Sequence, residues 1–85
     1  MTPLRTPRGG ADLPNPWPPD RYEVRCDRGV YGVTEDRYHF PEIAREAAHN
    51  LRRAGLARQI LVRRLSDAVI LFDHPRGVEL PATLW

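Results

Sequence analysis

Lysine is absent from this 85-residue chain, and all 13 of its basic residues are arginine. Cysteine occurs once, at Cys26, so no disulfide can close within the chain. There is no CxxC pair and no HxxxH spacing, which removes the usual sequence signs of a bound metal. The longest uninterrupted apolar run, Ala68 to Phe72, has five residues, whereas a membrane-spanning helix needs roughly 20. Residues 1–19 lack the apolar stretch of a secretory signal. These absences together predict a cytoplasmic protein with no membrane segment and no cofactor. Aromatic residues are sparse, at 8%, and no ribonucleoprotein-type aromatic signature or glycine-rich phosphate loop is present.

Arginine carries the consequence of the missing lysine. Its planar fork meets a carboxylate or a phosphate with two parallel hydrogen bonds, and it sheds water more readily than an ammonium. The net charge of +2 is too small to imply a nucleic-acid partner by itself.

Composition divides the chain in two. Residues 1–19 hold Pro3, Pro7, Pro14, Pro16, Pro18 and Pro19, with Gly9 and Gly10 between them. Proline fixes φ and removes a backbone donor, so this stretch reads as a Pro-rich extended or disordered arm, with Leu13 and Trp17 as its apolar anchors. Residues 20–85 read as one small domain. At that size folding buries only roughly 60% of the exposable surface, so assembly with another chain is a natural source of stability.

Within the domain, Tyr22, Val24 and Cys26 alternate with Arg21, Glu23 and Arg25, the pattern of a half-buried strand. Asp27–Gly29 is a turn, and Val30–Thr34 is the expected second strand, with Tyr31 and Val33 on one face. Glu35–Arg37 then reads as a polar connection. Pro41 opens a helix whose apolar positions Ile43, Ala44, Ala47, Ala48, Leu51 and Ala54 form one stripe. His39 is placed to cap its start. Gly55 closes the helix, with Leu56 expected to make the apolar closing contact.

Two further strands are predicted over Arg58–Leu65 and Ala68–Asp73, joined by a turn at Ser66–Asp67. A two-residue turn would set Leu65 opposite Ala68, Arg63 opposite Ile70 and Leu61 opposite Phe72. Pro81 limits the tail from Val78 to an edge strand or a loop. The fold class is α+β, a two-layer β-β-α-β-β arrangement with one helix on a four-stranded, mainly antiparallel sheet.

One helix covers one sheet face, yet the last two strands are apolar toward both sides. The sequence therefore predicts an apolar second face in need of a cover. The expected apolar contact set is Leu13, Trp17, Ile60, Val62, Val69, Leu71 and Trp85. The cover is the arm, the tail with Leu84 and Trp85, a second copy of the chain or another protein.

The expected function is a non-enzymatic protein-interaction module: a homodimer, or an accessory subunit, phage-type component or inhibitor docked on a larger assembly. The alternative is a small nucleic-acid-binding protein. It would use the basic set Arg45, Arg52, Arg53, Arg58, Arg63 and Arg64, a run relieved only by Glu46. Tyr31 and Tyr38 would be available for base stacking. No catalytic constellation emerges. Cys26 shares the core-facing side of its strand, His49 lies on the outer side of the helix, His74 begins a turn, and the sole serine, Ser66, has no base nearby. No small-molecule substrate is expected.

Overall fold

In a computed structural model of the chain, residues 18–85 are described. The anchors Leu13 and Trp17, and most of the Pro-rich arm, lie outside these residues. The elements are β1 (Tyr22–Asp27), β2 (Val33–Tyr38), α1 (Pro41–Ala54), β3 (Gln59–Arg64), β4 (Ile70–His74) and β5 (Val78–Glu79). Short 3-10 turns occupy Gly29–Tyr31 and Ala82–Leu84. All neighbouring strands pair antiparallel, in the order β2-β1-β3-β4-β5. The α+β class and the single helix on one sheet follow the sequence expectation; the tail adds a fifth, two-residue strand.

The register explains which face became the core. Val24 lies opposite Val62, and Cys26 opposite Ile60, so the apolar side chains of β1 and β3 share one face. Helix α1 packs on that face through Ala44 and Ala48, whose small side chains let the helix approach closely. Tyr22, Leu71, Phe72 and Trp85 complete the buried cluster, with Val69 packed at its margin. The tail folds back over the helix side of the sheet. There the Trp85 ring sits 6.2 Å from Tyr22, with its indole N–H donating to the Leu80 carbonyl at 2.9 Å.

Four local sequence expectations need correction. First, the second strand lies later in the chain than predicted. Gly29 and Gly32 both adopt positive φ, so Gly29–Tyr31 winds into a turn, and the charged stretch Glu35–Arg37 forms the strand instead. Second, the β3–β4 connection is longer than two residues. Ala68 adopts φ 60°, and the Asp67 carboxylate accepts the Val69 N–H at 3.2 Å and the Arg64 guanidinium at 2.8 Å. Arg63 faces Ile70 as expected, but a bulge between Val62 and Arg63 then sets Phe72 against Val62 and Asp73 against Leu61. Third, His39 does not cap the helix; its Nδ1 lies 2.7 Å from the Pro19 carbonyl, and Phe40 takes the N-cap position. Fourth, Leu56 projects into solvent rather than closing the helix end.

The largest correction concerns the second sheet face. Ile60, Val62, Leu71 and Trp85 belong to the helix-side core, where they are buried by the chain itself, so they line no docking surface. The opposite face is covered with charge. Glu23 is buried between Arg37 at 3.2 Å and Arg63 at 2.9 Å. Arg25 pairs with Glu35 at 3.6 Å, while Asp73 takes Gln59 at 3.2 Å and Arg76 at 3.7 Å. Leu61 and Ile70 are its apolar members in the central strands, each half-buried beside these pairs.

Candidate interaction surfaces

The most exposed large apolar side chains lie at one end of the sheet. The β1–β2 turn, the loop after α1 and the β4–β5 turn meet there. At the β1–β2 tip, Val30 is 95% exposed and Tyr31 86% exposed; Leu56, from the loop after α1, is 73% exposed. Tyr31 and Leu56 line an open cleft of about 370 Å³ together with Arg28.

The tip is held tightly at its base. The Asp27 carboxylate accepts the Gly29 N–H at 2.8 Å and faces the Arg58 guanidinium at 3.3 Å. Arg28 N–H donates to the Gly32 carbonyl at 2.9 Å, and Gly32 N–H returns to the Gly29 carbonyl at 3.0 Å. The Gly29 hydrogen bond, assisted by Arg58, holds the Asp27 carboxyl below the usual carboxylate range. Two large apolar side chains thus stand in water on a loop whose backbone is already bonded.

Arginines surround this end. Arg28, Arg52, Arg53, Arg58 and Arg76 belong to it, against Asp27 and Asp73. Arg58 and Arg76 leave most of their length in solvent despite their ion pairs. Arg52 reaches His49 Nδ1 at 3.1 Å and lies over Phe72, and Arg53 donates to the Asn50 side chain.

The basic set expected from sequence does not form one ridge. Arg45 is folded against Glu79 at 3.5 Å and over the Trp85 ring. Arg63 sits on the opposite sheet face with Glu23. Arg64 is at the far end of the sheet, bonded to Asp67, which is held below the usual carboxylate range by that contact. Arg52, Arg53 and Arg58 belong to the same end of the sheet as Arg28 and Arg76, each turned to a different neighbour. Val30, Leu56, Arg28 and Arg76 were not singled out as binding residues in the sequence, and Tyr31 only as a base-stacking side chain of a strand. The available signal was Gly29 and Gly32 bracketing two large apolar residues, which suits a turn better than a strand.

The chemistry-bearing side chains are dispersed. Cys26 is buried in the sheet, and His39, His49 and His74 belong to separate elements. His49 Nε2 lies 2.8 Å from Glu79, and its ring packs edge-on to Phe72 at 5.6 Å. Among the described residues, no group of three His, Cys, Asp or Glu side chains is placed to hold a metal ion. No helix among them is long and apolar enough to cross a membrane. No family model matches the chain, and no curated protein or solved structure matches it.

Proposed function

We propose that the chain is a non-catalytic protein-interaction module that docks through its β1–β2 tip. The role is that of an accessory subunit or inhibitor of a larger assembly. Exposure of Val30 and Tyr31 on a backbone-bonded turn carries this reading. Burying the two side chains in a partner contributes about 1.5–3 kcal/mol each, and a loop already ordered gives up little entropy on binding. Arg28 and Arg58 at the tip favour a partner whose apolar cleft is rimmed by carboxylates. This relocates the docking surface from the back of the sheet, where the charges are already paired within the chain.

A second reading uses the same end. Tyr31 stands beside Arg28 with its ring in solvent, a geometry suited to stacking on a base while arginines hold phosphates. The two readings separate in one experiment. The chain is used to purify its partner, with and without nuclease, alongside a Val30→Ser, Tyr31→Ser double variant. A stoichiometric protein that survives nuclease and binds the variant at least ~10-fold more weakly supports the first reading. Loss of the bound material on nuclease treatment, with binding that falls steeply as salt rises, supports the second. Undiminished capture of the same protein by the variant refutes the tip as the docking surface.

A further inference from the structure

The two edges of the sheet differ. At one, β5 has two residues and Pro81 follows closely. At the other, β2 runs for six residues, exposed at all but Tyr38, with no proline and no bulge against β1. A strand of this kind invites pairing with another strand.

Backbone hydrogen bonds fix which of its groups point outward. Arg28 N–H donates to the Gly32 carbonyl, in the register that continues through Cys26–Thr34 and Val24–Asp36. On the other side of β1, Leu65 N–H donates to the Arg21 carbonyl, in the register that continues through Glu23–Arg63. Antiparallel partners alternate between bonded and non-bonded pairs. Even-numbered residues of β1 therefore bond to β2, and odd-numbered residues bond to β3. On β2 this leaves the N–H and C=O groups of Val33, Glu35 and Arg37 directed away from the sheet.

We infer that β2 pairs antiparallel with β2 of a second copy, about a two-fold axis at Asp36, with Glu35 of each copy opposite Arg37 of the other. Outward-directed groups must meet one another, and the axes that keep five of the six β2 residues paired fall on Glu35 and on Asp36. An axis on Glu35 sets carboxylate on carboxylate, while axes on Thr34 or Arg37 pair only three of the β2 residues. The axis on Asp36 sets Glu35, paired within its chain to Arg25, and Arg37, paired to Glu23, each against an opposite charge of the other copy, and sets Thr34 against Tyr38 twice. It places like charges together only at Asp36 itself. Charged residues guard an edge against indiscriminate pairing; this order of charges favours one of the two registers of fullest overlap.

The same axis stands perpendicular to the sheet and keeps both helices on one face. Arg45, His49 and Arg52 lean toward β4 and β5, where they meet Glu79 and Phe72. The opposite flank of α1, with Ile43 46% exposed, therefore leans over β2, and Phe40 at the helix start is 55% exposed. Each flank is turned toward the axis across the paired β2 strands. The β1–β2 tips end up at opposite ends of the double sheet, so this interface uses none of the residues proposed for partner docking.

Sedimentation of the full chain across a concentration series tests the pairing, together with two charge variants. The wild type is expected to self-associate. Glu35→Arg and Arg37→Glu are each expected to weaken association by roughly 10-fold, because both pairs become repulsive. An equimolar mixture of the two variants is expected to regain the dimer, since each exchanged charge then faces its opposite. Asp36→Asn is expected to tighten it. Amide exchange on the wild type supplies a readout that needs no variant: Glu35 and Arg37 gain protection with concentration, while Thr34 and Asp36 are protected throughout. A chain that stays monomeric at millimolar concentration overturns the inference. So does a dimer that ignores both charge variants and leaves those two amides unprotected.

Discussion

The β1–β2 tip and the uncovered sheet face are both in water, and they are built on opposite plans. The sheet face satisfies itself: Glu23 lies under two arginines, Asp73 meets Gln59 and Arg76, and Arg25 meets Glu35. The tip satisfies its backbone and leaves its side chains without company, with Val30 and Tyr31 almost wholly exposed. A face that has paired its own charges gains little from a partner, because each pair must be desolvated again on docking. A rigid apolar tip gains area at small entropic cost. Exposure alone therefore does not mark a docking surface; what matters is which groups remain unsatisfied.

Adjacent positions on β3 give the strongest test of which side is core. Ile60→Ala removes a fully buried side chain beneath α1 and is expected to cost about 2–5 kcal/mol. Leu61→Ala, half-buried on the charged face, is expected to cost about 1 kcal/mol. Denaturant unfolding of the two variants checks this, and equal losses would mean that the sheet faces are assigned wrongly. Next in size is Glu23→Ala, which leaves Arg37 and Arg63 facing each other without their shared carboxylate. Both guanidiniums are partly in solvent, so the expected loss is about 1–2 kcal/mol. A variant as stable as the wild type would show that the charged face is decoration and not self-satisfaction.

The sequence made the helix, the first strand and the α+β class legible because each rests on a local signal: Pro41 and Gly55 as ends, an apolar stripe between them, and strict alternation in Tyr22–Cys26. The core side of the last two strands was not legible. Ile60–Leu61–Val62 is apolar at every position, so alternation says nothing about facing, and the bulge beside Arg63 shifts the pairing of Phe72 by one residue. With Leu71 and Phe72 both in the core, only Leu61 and Ile70 of the runs that read as two apolar faces remain on the other side. The second strand was missed for a different reason. Val30 and Tyr31 have strong strand propensity, but Gly29 and Gly32 take positive φ and the Asp27 carboxylate bonds the turn, which outweighs propensity. The docking candidate followed the same error, since residues assigned to a strand were not considered as a tip.

Smaller effects on stability separate the tip from the rest of the fold. The Val30→Ser, Tyr31→Ser variant removes side chains that touch water, so its unfolding free energy is expected to stay within about 0.5 kcal/mol of the wild type. A loss of several kcal/mol would show that these residues support the domain, which would remove the ground for calling them a docking surface.

Acid should loosen the tip before it reaches the core. The Asp27 carboxyl titrates below its ordinary range because its charged form accepts the Gly29 N–H and faces Arg58. A folded value below the unfolded one means that the contribution is fully present above about pH 4 and is lost as the pH falls through the lower, folded value. The group is exposed, so the effect is local rather than global. It is expected in the Gly29 amide resonance, which should move with a midpoint below the usual carboxylate value, while amides of buried β3 residues hold. Asp27→Asn should abolish that movement and quicken exchange at Gly29. A Gly29 amide indifferent to pH between 2 and 6 would show that Asp27 does not hold the turn. The entropic advantage claimed for the tip over the charged face would then be lost, because a loose loop must be ordered at the moment of binding.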